Sequence, residues 1–392
     1  MTKPIYLDYN ASAPVKPMVA RVFARALEDI GNPSSVHGYG RKARKAIEDA
    51  RARVAALLDV DPERVIFTSG GTEANNLALA GCGRRHFLLS AVEHASVLEA
   101  ARRRDGRTVS LPVDADGLVD LDRLEAALAG AGEPALVSVM LANNETGVVQ
   151  PVARAAEIAR KHGALFHCDA VQAPGRIPLD LRALGADYVS LSAHKFGGPK
   201  GVGALVLGAR VLGARAEPAP QLIGGGQERG RRAGTENLPG IVGFGVAAEL
   251  TQGELESAPG LARLRDGLER RIGAAAPDAR VFGAGVARLP NTSCLTMPGV
   301  RSETQVMAFD LDGVAVSAGA ACSSGKVEAS HVLGAMGVAE DETRCAIRVS
   351  LGWATVPEEV DRFVELWKAL HRRLGACPDE RVDARANGLS AA

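Results

Sequence analysis

Between residues 60 and 210, short apolar runs alternate with helical stretches, and this alternation confines the chain to a layered α/β fold. Val65–Thr68, His86–Ser90, Leu136–Met140, Ala164–Cys168, Tyr188–Leu191 and Ala204–Leu207 read as buried strands. Pro17–Ile30, Arg41–Leu58 and Val152–His162 read as helices, the second of them basic on one face. Strands joined through helices run mostly parallel and need cover on both faces, which predicts an α/β sandwich. The later part of the chain differs. From about Leu261 a helix is followed by isolated strands around Thr292–Thr296 and Cys345–Val349, then by a helix over Pro357–Arg373. This predicts a large domain over residues 15–258 and a small α+β domain built from 1–14 and 259–377. The polar, small-residue tail 378–392 is expected to be disordered.

The 392 residues suffice for one large or two ordinary domains, and a hydrophobic content of 46% supplies a sizeable core. A formal net charge of zero argues against nucleic acid or an acidic membrane as a partner. No apolar run is long enough to span a bilayer, and the first residues lack the apolar segment of a secretory signal. Six scattered cysteines without a CxxC pair fit a reduced, cytoplasmic protein rather than a zinc ribbon or a disulfide scaffold.

The chemistry centres on Ser192-Ala193-His194-Lys195-Phe196-Gly197-Gly198. A lysine at a strand end, followed by glycines, can form a Schiff base with an aldehyde cofactor if burial lowers its pKa. One strand earlier, Asp169 closes an apolar run. A carboxylate there can keep a pyridine nitrogen protonated, which is what pyridoxal 5'-phosphate (PLP) requires. Gln172, three residues on, could donate to a phenolic oxygen of the same ring.

Ser69-Gly70-Gly71-Thr72 follows a strand and opens a helix. Its free N–H groups, with the Thr72 hydroxyl, form either a phosphate site or a plain glycine turn with a threonine cap. Ser192 and His194 could add phosphate contacts. Gly224–Thr235 is a flexible glycine loop or an anion clamp ending in Thr235, the latter acting across a subunit interface. His94 follows a strand, where an imidazole could stack on a flat ring and move protons, or merely be solvated. Asn144 sits just past another strand, where α/β proteins place ligands. Arg348 is a lone charge in an apolar run, so it needs an anion: a structural carboxylate or a substrate α-carboxylate. Cys322 lies among small residues in Ser317–Lys326, a setting that favours a mobile nucleophilic thiol over an incidental one. Cys82, Cys168, Cys294, Cys345 and Cys377 read as incidental.

Taken in order, these motifs resemble the cysteine desulfurases of the PLP-dependent class V aminotransferase family. The resemblance runs from Tyr6-Leu7-Asp8-Tyr9-Asn10-Ala11 through Gly-Gly-Thr-Glu-Ala-Asn-Asn, Asp-Ala-Val-Gln, Ser-Ala-His-Lys, Arg-Ala-Gly-Thr and Ala-Cys-Ser-Ser-Gly to Arg348 and Gly352. It implies a fold-type I large domain with a mostly parallel seven-stranded sheet, a small α+β domain, and a homodimer. It implies that Lys195 carries PLP, Asp169 pairs with the pyridine nitrogen, Gln172 with the phenolic oxygen, and His94 stacks on the ring. Gly71, Thr72, Ser192 and His194 would hold the phosphate, with Thr235 reaching in from the other subunit. Asn144 would touch cofactor and substrate, and Arg348 would clamp the carboxylate of L-cysteine. Lys195 would move the α-proton, His94 would shuttle protons, and Cys322 would take sulfur as a persulfide for a sulfur-acceptor protein such as an iron–sulfur scaffold. No metal is implied. An aminotransferase or a selenocysteine lyase would use the same lysine. Two departures stand out: Trp353 follows Gly352 where many relatives carry a basic residue, and Cys168 precedes Asp169 where an aliphatic residue is common.

Overall fold

Seven strands form the central sheet of the computed structural model, which describes residues 4–213, 217–318 and 329–375. In chain order the strands are β1 (Ile5–Tyr6), β2 (Val65–Thr68), β3 (His86–Ser90), β4 (Arg107–Leu111), β5 (Ala135–Ser138), β6 (Leu165–Asp169), β7 (Tyr188–Ser192), β8 (Gly203–Leu207), β9 (Thr292–Thr296), β10 (Val314–Ala315), β11 (Ser317–Ala318) and β12 (Ala346–Ser350). The central sheet runs β2-β8-β7-β6-β5-β3-β4. β8 is antiparallel to both neighbours, and the other pairings are parallel.

The central strands are buried throughout because helices cover both faces. Val137, Phe166, Val189 and Val206 pack into the core on one side. Leu136, Leu165, Tyr188 and Leu205 pack on the other. β4 was not anticipated from the sequence. It is an edge strand with only Leu111 fully buried, so it carries no continuous apolar run.

A second layer surrounds the three-stranded antiparallel sheet β11-β12-β9. Its core contains Leu7, Leu295, Ile347, Phe363 and Trp367, all fully buried. The N-terminal segment is stitched into this layer. β1 pairs with β10 through Ile5↔Val314, and Asp8 bridges to Ser350. Gly352 permits the crossing: a Cβ there would lie 1.8 Å from the Tyr9 ring.

The helix expected from about Leu261 begins much earlier. It runs unbroken over Leu238–Ala275 and carries Pro259 inside it on the exposed side. The expected division at 258–259 therefore falls within one continuous helix. The helix expected to begin at Arg41 starts at Gly38, capped by His37, whose Nδ1 accepts the Gly40 N–H at 3.2 Å.

The glycine loop is tied to the core by a buried ion pair. Arg51 donates from Nη1 and Nη2 to the two Glu228 carboxylate oxygens at 2.7 Å each, and from Nη1 to the Val65 carbonyl at 2.8 Å. Glu228 also accepts the Phe67 N–H at 2.9 Å. These bonds hold Glu228 and Arg229 at φ 46° and 59°, a left-handed conformation that side chains disfavour. Arg51→Met should strand the Glu228 carboxylate in the core and cost about 3–5 kcal/mol. Urea unfolding should show a lower midpoint with an unchanged slope, and the Arg51→Met/Glu228→Met double variant should recover part of the loss.

Candidate active site

The strand ends place the chemistry. β6 ends on Asp169, and β7 leads into a single turn over Ala193–Lys195. The N-terminus of the helix Gly71–Gly81 faces both. Together they enclose a cavity of about 420 Å³. Gly71, Thr72, His94, Asn144, Asp169, Gln172, Ser192, His194, Lys195 and Arg348 all line it, although they come from six separate stretches of chain. Of the residues singled out in the sequence, two are not among them. Thr235 lines a separate cavity of about 140 Å³ with Phe67, Arg232 and Glu236. Cys322 lies outside the described residues, as does Cys377.

Lys195 Nζ donates to the carbonyls of Asn10 at 2.7 Å and Ala11 at 2.9 Å. Burial, followed by the nearby Arg348 and Arg176 charges, lowers its pKa to about 8. Asp169 is held from two sides: the Val171 N–H donates to Oδ1 at 3.0 Å and Asn75 Nδ2 to Oδ2 at 2.7 Å. Asn75 Nδ2 also donates to Ser96 Oγ at 2.9 Å, and that hydroxyl lies 2.8 Å from His94 Nδ1. The Ser96 N–H donates to the same ring nitrogen at 3.1 Å, so Nδ1 is an acceptor and Nε2 carries the proton. His94 caps the helix Ala95–Arg102 and opens to the cavity, and the loss of hydration there lowers its pKa. A polar chain thus links the imidazole to the carboxylate.

Arg348 already holds an anion. Its Nη2 donates to Asp8 Oδ1 at 2.7 Å and its Nη1 to the Asn144 carbonyl at 3.0 Å, while Nε is buried without a hydrogen-bond partner. The structural carboxylate therefore exists, and Arg348 also lines the cavity. His194 shares a 3.3 Å contact between Nδ1 and Ser12 Oγ, and burial takes its pKa down to about 4. At Gly71 a Cβ would come within 2.9 Å of Val171 and 3.4 Å of Ser192, so a side chain would fill this end of the cavity. Trp353 faces elsewhere. Its indole N–H donates to the Pro14 carbonyl at 3.1 Å, and it lines a second cavity of about 470 Å³ on the other side of Lys195. Cys168 is fully buried and its thiol pKa is raised by that burial, as for Cys82 and Cys294.

Several contributors were not singled out from the sequence: Asp8, Asn10, Asn75, Ser96, Arg176 and His331. Asn75 sat in plain view within the Gly-Gly-Thr-Glu-Ala-Asn-Asn motif. His331, just past the segment that holds Cys322, lines the cavity and donates from Nε2 to the Glu93 carbonyl at 3.0 Å.

The family model described as aminotransferase class-V matches residues 5–363. The chain belongs to the class-V aminotransferase family. A cysteine desulfurase of Cereibacter sphaeroides is 48% identical over 374 residues, covering 92% of this chain and 94% of that protein. Cysteine desulfurase IscS of Dictyoglomus turgidum is 40% identical, and the match covers 100% of both chains. The X-ray structure of a NifS-like protein from Rickettsia africae superposes with a TM-score of 0.86 at 36% identity, covering 94% of this chain and 99% of that one. The architecture is accordingly the fold-type I arrangement that the motifs implied.

Beneath the cavity lies a buried polar layer. Glu93 accepts the Met140 N–H at 2.5 Å and the Ser138 hydroxyl at 3.4 Å. His167 sits between Ser138 Oγ at 2.8 Å and Ser190 Oγ at 3.0 Å. Burial, reinforced by Asp169, lifts the Glu93 pKa to about 8, and burial lowers that of His167 to about 4. The two act oppositely on stability. Folded Glu93 keeps its proton where the unfolded chain has lost it, so its contribution is full below the ordinary glutamate range and fades as pH rises through about 8. The His167 contribution is full above the ordinary histidine range and fades as pH falls through about 4. Glu93→Gln should therefore gain stability relative to the parent between pH 5 and pH 8, measured by urea unfolding at both; a constant difference would place the Glu93 pKa in the ordinary range.

Proposed function

We propose that this chain is a PLP-dependent cysteine desulfurase that converts L-cysteine to L-alanine and leaves the sulfur on Cys322 as a persulfide. The observation that carries the reading is the convergence of an amine of depressed pKa, Lys195, with Asp169, Gln172 and Arg348 on one cavity, in a chain whose relatives bear the name cysteine desulfurase.

The residues present suit PLP. A carboxylate, an amide donor and an amine lie along one cavity, and its glycine end, at a helix N-terminus beside Ser192, suits a phosphate. Bound there, the cofactor supplies an aldehyde that captures amines and a protonated ring that takes up electrons from the substrate α-carbon. Lys195 would be the amine that holds it, Asp169 would pair with the pyridine nitrogen, Gln172 would donate to the phenolic oxygen and His94 would stack on the ring. Gly71, Thr72, Ser192 and His194 would hold the phosphate. Thr235, lying outside this cavity in its own protomer, serves the site of a second copy in a homodimer.

The α-carboxylate of L-cysteine is received by Arg348, which shares its charge between the substrate and Asp8, with Asn144 beside it. Once displaced by the substrate amine, Lys195 takes the α-proton; a pKa near 8 leaves an appreciable neutral fraction at neutral pH. The Cys322 thiolate then attacks the substrate sulfur. The S–S bond forms as the Cβ–S bond breaks, the electron pair stays on carbon, and proton return through Lys195 and His94 gives alanine. Two flanking features support the approach of this thiol. Ser317 is registered opposite Arg348 across β11 and β12, and His331 lines the cavity. The persulfide is a reversible cap suited to a sulfur-acceptor protein in the cytoplasm, such as an iron–sulfur scaffold.

Incubation with L-cysteine labelled in sulfur should place one labelled sulfur atom on the peptide that carries Cys322, with stoichiometric alanine. Cys322→Ala should keep the cofactor colour yet release almost no sulfide, and Lys195→Ala should lose both turnover and the borohydride-reducible chromophore. Full sulfide release by Cys322→Ala would remove that thiol from the reaction.

A further inference from the structure

Arg176 is a buried cation for which the sequence offered no role. It is only 8% exposed, and among the described residues no carboxylate comes within ion-pair distance of it. Burying a guanidinium without an adjacent anion is unfavourable, so its hydrogen bonds must compensate. All of them go to two residues of the site. Nη1 donates to the Gln172 carbonyl at 3.0 Å and to the Gln172 side-chain oxygen Oε1, and Nη2 donates to the Lys195 carbonyl at 3.2 Å.

Two consequences follow from the chemistry of arginine. A guanidinium only donates, so Gln172 must turn its oxygen to Arg176 and its Nε2 away from it. That Nε2 donates to the Asn10 carbonyl at 3.0 Å, the same oxygen that receives Lys195 Nζ. Without Arg176 only the Asn10 carbonyl would still favour this orientation, and the amide oxygen would be left without its buried donor. In addition, Arg176 puts a permanent positive charge beside the Lys195 amine.

We infer that Arg176 is a positioning residue, which locks the donor end of Gln172 toward the cavity and seats the Lys195 backbone. This rests on the proposal that Lys195 carries PLP and that Gln172 faces its phenolic oxygen. The groups that bear on the Lys195 charge are Arg176 and Arg348, which disfavour the ammonium, and Asp169 and Asp8, which favour it; His94 and His194 face it as well.

The test separates the charge from the geometry. In the cofactor-free full chain, the pH dependence of Lys195 labelling by an amine reagent, read by mass spectrometry, gives its titration. Arg176→Met should raise that pKa by roughly 0.5–1 unit, whereas Arg176→Lys, which keeps the charge, should leave it near the parent value. In the PLP-loaded chain, both variants should shift the visible band and the pH at which it changes, because neither can hold the amide with a fork of donors. Gln172→Leu should shift the band in the same way, and adding the charge-keeping Arg176→Lys to it should shift the band no further. If Arg176→Met unfolds, the Lys variant alone decides the geometric half through its band. Parent-like labelling and spectra in a folded Arg176→Met chain, or additive band shifts in the double variant, would overturn the inference. Failure of the parent chain to bind PLP would instead overturn the proposed function, and the labelling comparison would then decide the charge effect by itself.

Discussion

One carbonyl group organises the candidate site. The Asn10 oxygen accepts both Lys195 Nζ and Gln172 Nε2. Asn10 is in turn fixed at both ends: its N–H donates to Ser350 Oγ at 3.0 Å, and its side chain donates to Thr292 Oγ1 at 2.9 Å and the Asn144 carbonyl at 3.1 Å. The N-terminal segment therefore joins the two sheets, and the reactive amine is registered against that joint. Groups held from several directions lose little freedom when a ligand arrives, which is the physical content of preorganisation.

Electrostatics at the site is a local balance of opposed charges. Lys195, Arg176 and Arg348 are gathered in partly or fully buried positions, where burial first and the neighbouring guanidinium charges second depress the amine. Asp8 and Asp169 oppose them, which keeps the arrangement from being prohibitive. A lysine in water would stay protonated at neutral pH, whereas the lowered pKa of Lys195 gives it the neutral fraction that the proposed role as a base requires. Arg348 illustrates how a structural and a functional reading coexist. Asp8 pairs with it in the folded chain, while the same residue lines the cavity where the proposed substrate carboxylate would come.

Strain is concentrated in the glycine loop, away from the reactive amine. Glu228 and Arg229 adopt positive φ values only because the Arg51 fork and the Phe67 N–H hold the Glu228 carboxylate. This fixes the approach to Thr235, which opens onto a different cavity from the rest of the candidate set. The loop is thus anchored at its centre.

Much of this was legible in the residues. Lys195, Asp169 and the Gly71-Thr72 turn could be found because chemistry in α/β folds concentrates at strand ends, and strand ends are marked by apolar runs stopping at polar or glycine residues. The same logic failed for β4, whose exposed edge residues carry no apolar run, and for the long helix, expected only from about Leu261 although it runs through Pro259, whose exposed side tolerates one lost hydrogen bond. The sequence by itself determined the layered sheet, the reactive lysine and the carboxylate one strand before it, since these depend on local pattern. Only the tertiary structure decided that Asn10 meets Lys195, that Asp8 holds Arg348, that Arg51 grips Glu228 and that Arg176 orients Gln172. Contacts between distant segments are chosen by the path of the chain and the burial it imposes, and even the short-range Arg176–Gln172 bond matters only because the fold strips water from it.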